Sequence, residues 1–375
     1  MKSTLKNLLK LTSCTALVAL LFSCTPATGS NGSTTGSDDT VTGTSGVTFG
    51  TTYTDPTLPA SVGTDPFTGH TYRYSYVNGS EDYTFGNNNE LTVTSTFTST
   101  TTSGTTTSSS GLKYSYSYDA TTKELSIKIT QVLQKMPGST ESRWYTYAEY
   151  INFYLNITRS QLAESGDTTT YTDEQLRELI QIYCNYIKTQ FETTTIWKAE
   201  LNTSNNLVLR RSYYKTAPSS LTNNSTHSVS YSSSQISNGT YTSIGFSLSI
   251  YPTTTAMSTG SGAVLYSKGG VSTNKYSSGT SVSKNFYITD ITSNTISAAE
   301  YTTSSAGYTI VSGGVTLQLG YTYALGNDNT LVITVTGSDD TTKEYLRTLL
   351  GDNTLTNPSI TASSSTYSQT YTLVQ

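Results

Sequence analysis

Residues 112–130 read LKYSYSYDATTKELSIKIT, and this stretch decides the fold class of the chain. Three tyrosines alternate with Lys and Ser, a Thr-Thr-Lys turn follows, and three aliphatic residues then alternate with Ser and Lys. The apolar residues of this pattern are Tyr114, Tyr116, Tyr118, Leu125, Ile127 and Ile129. Successive side chains of a strand point to opposite faces, so the pattern predicts a β-hairpin that buries one face.

The composition favours strands along the chain and disfavours a nucleic-acid partner. Tyrosine supplies 30 of the 375 residues, and charged residues supply 12%, about half of their usual share. Aromatic and β-branched residues suit a half-buried pleated surface. The formal net charge is −4, and without the three lysines of residues 1–23 it becomes −7, from 18 basic and 25 acidic side chains. We expect no nucleic-acid binding, because phosphates require a basic protein face.

The amino terminus predicts export and lipid attachment. Residues 1–23 form a signal peptide pattern, with a lysine-bearing start and an apolar run at 16–22 that is shorter than the roughly 20 residues a bilayer requires. Residues 21–24, Leu-Phe-Ser-Cys, resemble the lipobox of bacterial lipoproteins. The resemblance implies cleavage before Cys24, acylation of its thiol by fatty acids such as palmitate, and anchorage in a lipid bilayer. The alternatives are a lipobox that ends at Cys14 and an ordinary cleaved signal peptide.

Residues 24–61 are predicted to form an acylated tether, because they are rich in Ser, Thr and Gly, as flexible linkers are. The lipoprotein resemblance associates Thr25, at the position after the lipid, with sorting to the outer membrane. With Cys14 removed and Cys24 acylated, Cys184 is the remaining thiol, so no disulfide can form within the mature chain. Cys184 lies in a helical pattern and is predicted to be a small core residue.

A first β domain is predicted over 62–252. Tyr72, Tyr74 and Tyr76 share one strand face, as the tyrosines of 112–130 do, and an Asn-rich turn at 86–89 joins the hairpin that follows. Strands resume at 196–214 after an interruption. The pair Arg210-Arg211 near the end of this stretch is interpreted as a solvated strand end.

The interruption is predicted to be a helical insert at about 143–191. Thr146 and Glu149 have the spacing of a capping box, and an apolar stripe recurs with helical period over 176–191. A helix of this kind packs against a sheet or closes the mouth of a barrel, where it could act as a lid.

A second β domain is predicted over 262–375. Pro252 and the Ser- and Gly-rich residues after it indicate the boundary. The hairpin pattern then returns about 205 residues after its first occurrence, which indicates an internal duplication. A capping box at 341–344 predicts a short helix over about 341–350 that Gly351 ends, and the last strand is expected at 367–374. A shorter barrel or a sandwich would bury these strands equally well.

Short motifs within residues 62–214 resemble those of spirochaetal lipoproteins with lipocalin-like β domains. They are FTGHTY at 67–72, the two tyrosine hairpins, and TYAEY at 146–150 in the helical insert. The resemblance implies an antiparallel, lipocalin-like barrel with a capacity to hold a small apolar ligand. Lipocalins carry Gly-x-Trp near the first strand, whereas this chain has Gly69 and Tyr72.

The sequence predicts no catalytic residue, metal site or cofactor. The histidines, His70 and His227, lack the spacing of zinc ligands. Two Ser-x-x-Lys matches, at 272–275 and 281–284, lack the companion motifs of penicillin-interacting enzymes. We therefore expect a protein that is not an enzyme.

The tyrosine rows allow three interpretations: packing of a barrel wall, stacking of a ligand in a cavity, or an exposed adhesive face. The candidate ligand-binding residues are Tyr72, Tyr74, Tyr76, Tyr114, Tyr116 and Tyr118. The favoured function is a non-enzymatic lipoprotein with a structural or interaction role at the cell envelope, whose protein partner is unknown. The alternative is a lipocalin-like binder of a small apolar or carbohydrate ligand. A filled barrel interior would favour the first function, and an enclosed cavity of about 300 Å³ or more would favour the second.

Overall fold

The computed structural model describes residues 39–101, 104–135, 141–164, 172–218, 221, 227–237, 240–258, 264–277, 280–304, 307–365 and 368–374. The predicted signal peptide, Cys24, and the start of the predicted tether lie outside the described residues. The chain divides into two compact units, Met1–Arg211 with Tyr367–Gln375, and Ser212–Thr366. Each unit contains a closed antiparallel barrel of eight strands, so the all-β prediction is confirmed and the second half is a barrel.

The elements are numbered in chain order. The strands before the second unit are β1 (Thr40–Thr42), β2 (Thr48–Gly50), β3 (Thr71–Tyr76), β4 (Gly79–Phe85), β5 (Glu90–Thr101), β6 (Gly104–Asp119), β7 (Glu124–Lys135), β8 (Ser142–Tyr145), β9 (Thr195–Leu201) and β10 (Leu207–Arg210). The strands of the second unit are β11 (His227–Ser237), β12 (Thr240–Ser258), β13 (Val264–Ser277), β14 (Thr280–Ile291), β15 (Thr295–Ser304), β16 (Gly307–Ile310), β17 (Thr316–Leu325), β18 (Leu331–Gly337) and β19 (Ser359–Ser363). The last strand is β20 (Ser368–Leu373). The helices are α1 (Tyr147–Leu155), α2 (Arg159–Glu164), α3 (Asp173–Phe191) and α4 (Asp340–Leu350), with a 3₁₀ turn at Asn327–Asn329.

The predicted hairpin of residues 112–130 forms β6 and β7. Tyr116 lies opposite Ile127 and Tyr118 lies opposite Leu125. The Asp119 carboxylate holds the turn, because its Oδ1 accepts the backbone N–H groups of Thr121 at 2.8 Å and of Thr122 at 3.2 Å. This hairpin closes the first barrel, whose strand order is β3, β4, β5, β6, β7, β9, β10 and β20, returning to β3.

The second barrel repeats this topology. Its order is β11, β12, β13, β14, β15, β17, β18 and β19, returning to β11. An extra strand is attached to the fifth strand of each ring, β8 to β7 and β16 to β15. By rank in the ring, β6 corresponds to β14, whereas the sequence offset of 205 residues pairs β6 with β17. The two barrels therefore share a strand topology, but the strands that the 205-residue offset aligns do not occupy equivalent positions in the two rings.

The boundary between the units differs from the predicted one at 252–262. The first unit ends at Arg211 and resumes at Tyr367, so the second barrel is inserted in sequence between β10 and β20. Strand β20 completes the first barrel, with Leu207 of β10 opposite Tyr371 and Tyr72 of β3 opposite Leu373. Pro252 does not mark the boundary, because it lies within β12, at the register shift between Ile250 and Thr255, where the ladder does not require its missing N–H.

The predicted tether is shorter than 24–61, because its second part belongs to the first unit. The β1–β2 hairpin packs against the end of α1, where a Cβ on Gly43 would lie 2.0 Å from the Leu155 carbonyl oxygen. The Thr44 backbone N–H donates to Asn156 Oδ1 at 3.0 Å. Further along, Asp55 pairs with Lys128 of β7 at 2.6 Å. Glycine at the point of closest approach permits this docking.

The helical insert is confirmed, and it covers the later part of β7. The capping box forms, since Glu149 Oε2 accepts the Thr146 backbone N–H at 2.8 Å. The Tyr150 hydroxyl of α1 donates to Gln134 of β7 at 3.3 Å. Helices α1 and α3 meet through Tyr154 and Tyr183, whose stacked rings are 5.0 Å apart. Among the described residues, the helices lack the combination of length and apolar character required to cross a bilayer.

The predicted helix near the carboxyl end is α4, but its cap is different. Asp339 is the N-cap, and its carboxylate accepts the Thr342 backbone N–H at 2.7 Å. Thr341 is therefore not the N-cap of α4 as predicted, because Asp339, two residues earlier, supplies the side-chain acceptor for the first turn. Gly351 ends the helix in the left-handed conformation, at φ 73°, as predicted.

Candidate functional site

The six candidate tyrosines lie on the inward faces of β3 and β6. Four of them, Tyr72, Tyr114, Tyr116 and Tyr118, are only 1–2% exposed. Tyr74 and Tyr76 are half-buried. The predicted faces are therefore correct, and the rings other than that of Tyr76 form the core of the first barrel or pack against it. A role in ligand binding stays a prediction.

Aromatic rings meet across the middle of this barrel. The ring centroids of Tyr83 and Trp197 are 6.2 Å apart, although their strands, β4 and β9, are four places apart in a ring of eight. Tyr114 contacts the same indole at 5.9 Å, and Tyr371 contacts Tyr83 at 4.6 Å. Side chains from opposite walls touch, so the interior is filled at this level.

The segment before β3 fills the interior near Tyr118. Phe67 is fully buried, with its ring 5.1 Å from Phe85 and 4.9 Å from Tyr118. Asp65 fixes this segment, because its Oδ2 accepts the Tyr116 hydroxyl at 2.6 Å. Burial, and then the hydrogen bond to Asp65, raise the pKa of Tyr116, and burial raises the pKa of Tyr118 to about 12. These hydroxyls therefore stay protonated at neutral pH.

A buried ionic cluster lies inside the barrel beside these rings. Arg211 Nη2 donates to Glu81 Oε1, to the Tyr83 hydroxyl and, at 2.6 Å, to the Tyr371 hydroxyl. The guanidinium also lies over the ring of Trp197, at 5.9 Å. Burial alone would lower the pKa of Arg211, but the surrounding groups, Tyr83 and Glu81 foremost, outweigh burial and raise it. The guanidinium is therefore a permanent cation that joins β4, the end of β10 and β20.

The interpretation of Arg210-Arg211 as a solvated strand end is wrong for Arg211. Its side chain shares the inward face with Leu207 and Leu209, and Glu81 shares the inward face with Tyr83. Arg211 and Glu81 each lie two positions from an apolar inward-facing residue, so strand alternation alone could have predicted that both charges point inward. Their pairing could not be read from the sequence, since 130 positions separate them.

The second barrel contains a different buried polar group. The His227 imidazole is stacked 6.1 Å from the Tyr214 ring and lies 6.1 Å from the Tyr323 ring. Burial lowers the pKa of His227 to about 4, so the side chain is neutral at physiological pH. Among the described residues, no group of three or more His, Cys, Asp or Glu side chains could hold a metal ion.

Cys184 and the two Ser-x-x-Lys matches lie within regular secondary structure. Cys184 is a fully buried residue of α3, and burial raises the pKa of its thiol to about 12. Ser272 and Ser281 lie within β13 and β14 rather than at a helix start. Lys284 pairs with Glu300 at 3.6 Å.

A surface cavity of about 270 Å³ lies at the helical insert, between β8, α1 and α2. One face of α1 supplies Glu149, Asn152 and Phe153, and its C-cap Asn156 continues that face, because positions i, i+3, i+4 and i+7 are neighbours. Strand β8 and helix α2 complete the lining with Arg143, Tyr145 and Gln161. The sequence gives no sign of this cavity, since helical period reveals the buried stripe and not a groove beside it.

The charges and amides of this cavity are held in place. The Arg143 guanidinium lies 4.1 Å from the centre of the Tyr145 ring, and its Nη1 donates to Glu149 at 3.3 Å. Hydrogen bonds from the backbone and hydroxyl of Thr146 lower the pKa of Glu149, so it is an anion at neutral pH. Asn156 donates to the Asn152 carbonyl at 2.8 Å.

Comparison of this chain with protein-family models, with curated proteins and with solved structures found no match.

Proposed function

We propose that this chain is a lipid-anchored bacterial lipoprotein with a non-enzymatic, structural or interaction role at the cell envelope, in the outer membrane. Its anchor is the acylated Cys24, and its direct partner is the lipid bilayer. Support for the anchor comes from the lipobox-like residues 21–24 after a short apolar run, with Thr25 for the outer membrane. The first described strand, β1, follows soon after Cys24 in sequence, and the barrel itself begins at β3.

The observation that carries the structural role is the contact of Tyr83 and Trp197 across the first barrel. A carrier of apolar ligands requires an open interior, whereas here opposite walls meet through aromatic rings and a buried ion pair. The outward strand faces bear paired hydroxyl groups, such as Thr71 with Thr84 and Thr334 with Thr361. Two closed barrels with hydroxyl-rich outer faces suit a protein that presents a surface to partners.

Lipid labelling tests the anchor. The full chain is expressed in a bacterium with two membranes and labelled with palmitate, and the variants Cys24→Ser and Cys14→Ser are compared. We expect label and partition into detergent for the wild type and for Cys14→Ser, with loss of both for Cys24→Ser, because the thiol carries the lipid. Retention of label by Cys24→Ser would contradict the proposal, and fractionation of the two membranes tests the location.

A lipocalin-like small-ligand binder is the second candidate, in line with the spirochaetal resemblance. The cavity at the helical insert favours it, because that cavity is open and lined by apolar as well as polar groups. Binding at this place would leave the tyrosine rows as packing residues.

A further inference from the structure

We propose that the cavity formed by β8, α1 and α2 is a binding site for a single saccharide ring, such as the terminal sugar of a glycan. The inference goes beyond the lipoprotein proposal and does not depend on acylation of Cys24. It rests on the shape of the cavity, on the balance of its charges and on the chemistry of its lining.

Size and charge limit the class of ligand. A volume of about 270 Å³ lies just below the roughly 300–1,000 Å³ of pockets that hold drug-sized ligands, so one small ring is the appropriate occupant. Arg143 and Glu149 are paired at 3.3 Å, which leaves the lining with no net formal charge. A phosphate-bearing ligand would require an excess of cations.

The lining offers the groups that sugar hydroxyls require. Asn156 is occupied by its bonds to Thr44 and Asn152, and Gln161 Oε1 accepts from Thr158, so the amide N–H groups of Asn152 and Gln161 are the donors that this lining offers to a hydroxyl group. Phe153 is half-buried and supplies an apolar surface against which the C–H face of a sugar can pack. A polyol with one apolar face meets both features at once.

The site is built before any ligand arrives. Gln161 Oε1 accepts the backbone N–H of Thr158 at 2.9 Å, which fixes the start of α2, and Asn156 is held by Thr44 and Asn152. The Arg143 guanidinium rests on the Tyr145 ring. Preorganised polar groups bind with a smaller entropic cost, so weak but specific binding is expected.

Saturation-transfer NMR on the full chain tests the proposal, with methyl glycosides of glucose, galactose and N-acetylglucosamine as probes. The detergent must lack sugar groups, so lauryldimethylamine oxide is suitable. We expect at least one probe to bind in the millimolar range, and Asn152→Ala to weaken it about fivefold, as loss of one neutral hydrogen bond predicts. The matched control is Asn185→Ala, an exposed amide on α3 outside the cavity, which should leave binding unchanged.

Phe153→Leu tests the apolar surface and should reduce saturation transfer to the ring protons of the sugar. An unchanged tryptophan emission spectrum would show that the variant is folded. If Phe153→Leu unfolds the insert, the Asn152→Ala comparison still decides. Absence of transfer with all three probes at about 50 mM, well above the millimolar range, overturns the proposal. Equal effects of Asn152→Ala and Asn185→Ala overturn it also. Neither result alters the palmitate test at Cys24.

Discussion

Replacement of Arg211 by Met is expected to destabilise the first barrel strongly. The substitution removes the guanidinium that donates to Glu81, Tyr83 and Tyr371. The side chains of Arg211 and Glu81 are only 11% and 14% exposed, so water replaces the lost cation only in part, and the Tyr83 hydroxyl stays as the neutral partner of the carboxylate. Breaking a buried pair by removal of one partner costs about 3–5 kcal/mol. For a unit of this size, that cost corresponds to a fall in melting temperature of roughly 10 °C.

Tryptophan fluorescence during urea unfolding measures this effect for the first barrel alone. Both tryptophans of the chain, Trp144 and Trp197, lie in the first unit. The matched control is Arg73→Met, which breaks the bond of Arg73 to Asp82 at 2.6 Å on the outer face of the same hairpin. Arg73 is 45% exposed, and exposed pairs contribute about 0–1 kcal/mol, so a small shift is expected.

A double substitution separates the ion pair from simple packing. Arg211→Met with Glu81→Met should recover a substantial part of the lost stability, because no charge then remains buried without a partner. An Arg211→Met variant no less stable than Arg73→Met would refute the reasoning. So would a double variant that loses as much as the two single variants together, since the cost would then come from packing.

Two further predictions concern His227 and the closing strand of the first barrel. The pKa of His227 is about 4 in the fold against 6.5 in the unfolded chain, so below pH 6.5 the unfolded state binds a proton that the folded state does not. The free energy of unfolding should therefore fall by about 3 kcal/mol between pH 6.5 and 4 and then level off. Urea titrations followed by tyrosine circular dichroism measure this free energy, and His227→Gln should remove this part of its pH dependence. The same pH dependence in the variant and the wild type would contradict the low pKa of His227. Deletion of residues 368–375 should open the first barrel, because it exposes the edges of β3 and β10. Limited proteolysis should then digest the first unit and leave a fragment near 212–366 intact. The control Val374→Ala, a change at a half-exposed residue, should have little effect. Protection of the first unit in the deletion variant would show that β20 is dispensable.

Local rules account for the features that were predicted correctly. The alternation of Tyr114, Tyr116 and Tyr118 decided which face of β6 is buried, and neighbours on the chain decided the turn at Asp119. The capping box at Thr146 and the glycine end of α4 likewise depend on residues within four positions of each other. Such interactions are set by covalent geometry and side-chain chemistry, so they can be read in sequence. The cavity of the helical insert could not, because it depends on how β8 and α2 approach α1.

The sequence by itself determined that this protein is built from strands with tyrosine on their inner faces, interrupted by a capped helical insert. Only the tertiary structure decided that the strands form two closed barrels, that β20 returns after the 155 residues of the second unit to complete the first barrel, and that Arg211 meets Glu81 inside it. The physical reason is the range of the interactions. Period and caps act within one turn or one hairpin, whereas barrel closure and a buried ion pair join residues that sequence separates by more than a hundred positions, and their partners are chosen by the whole fold.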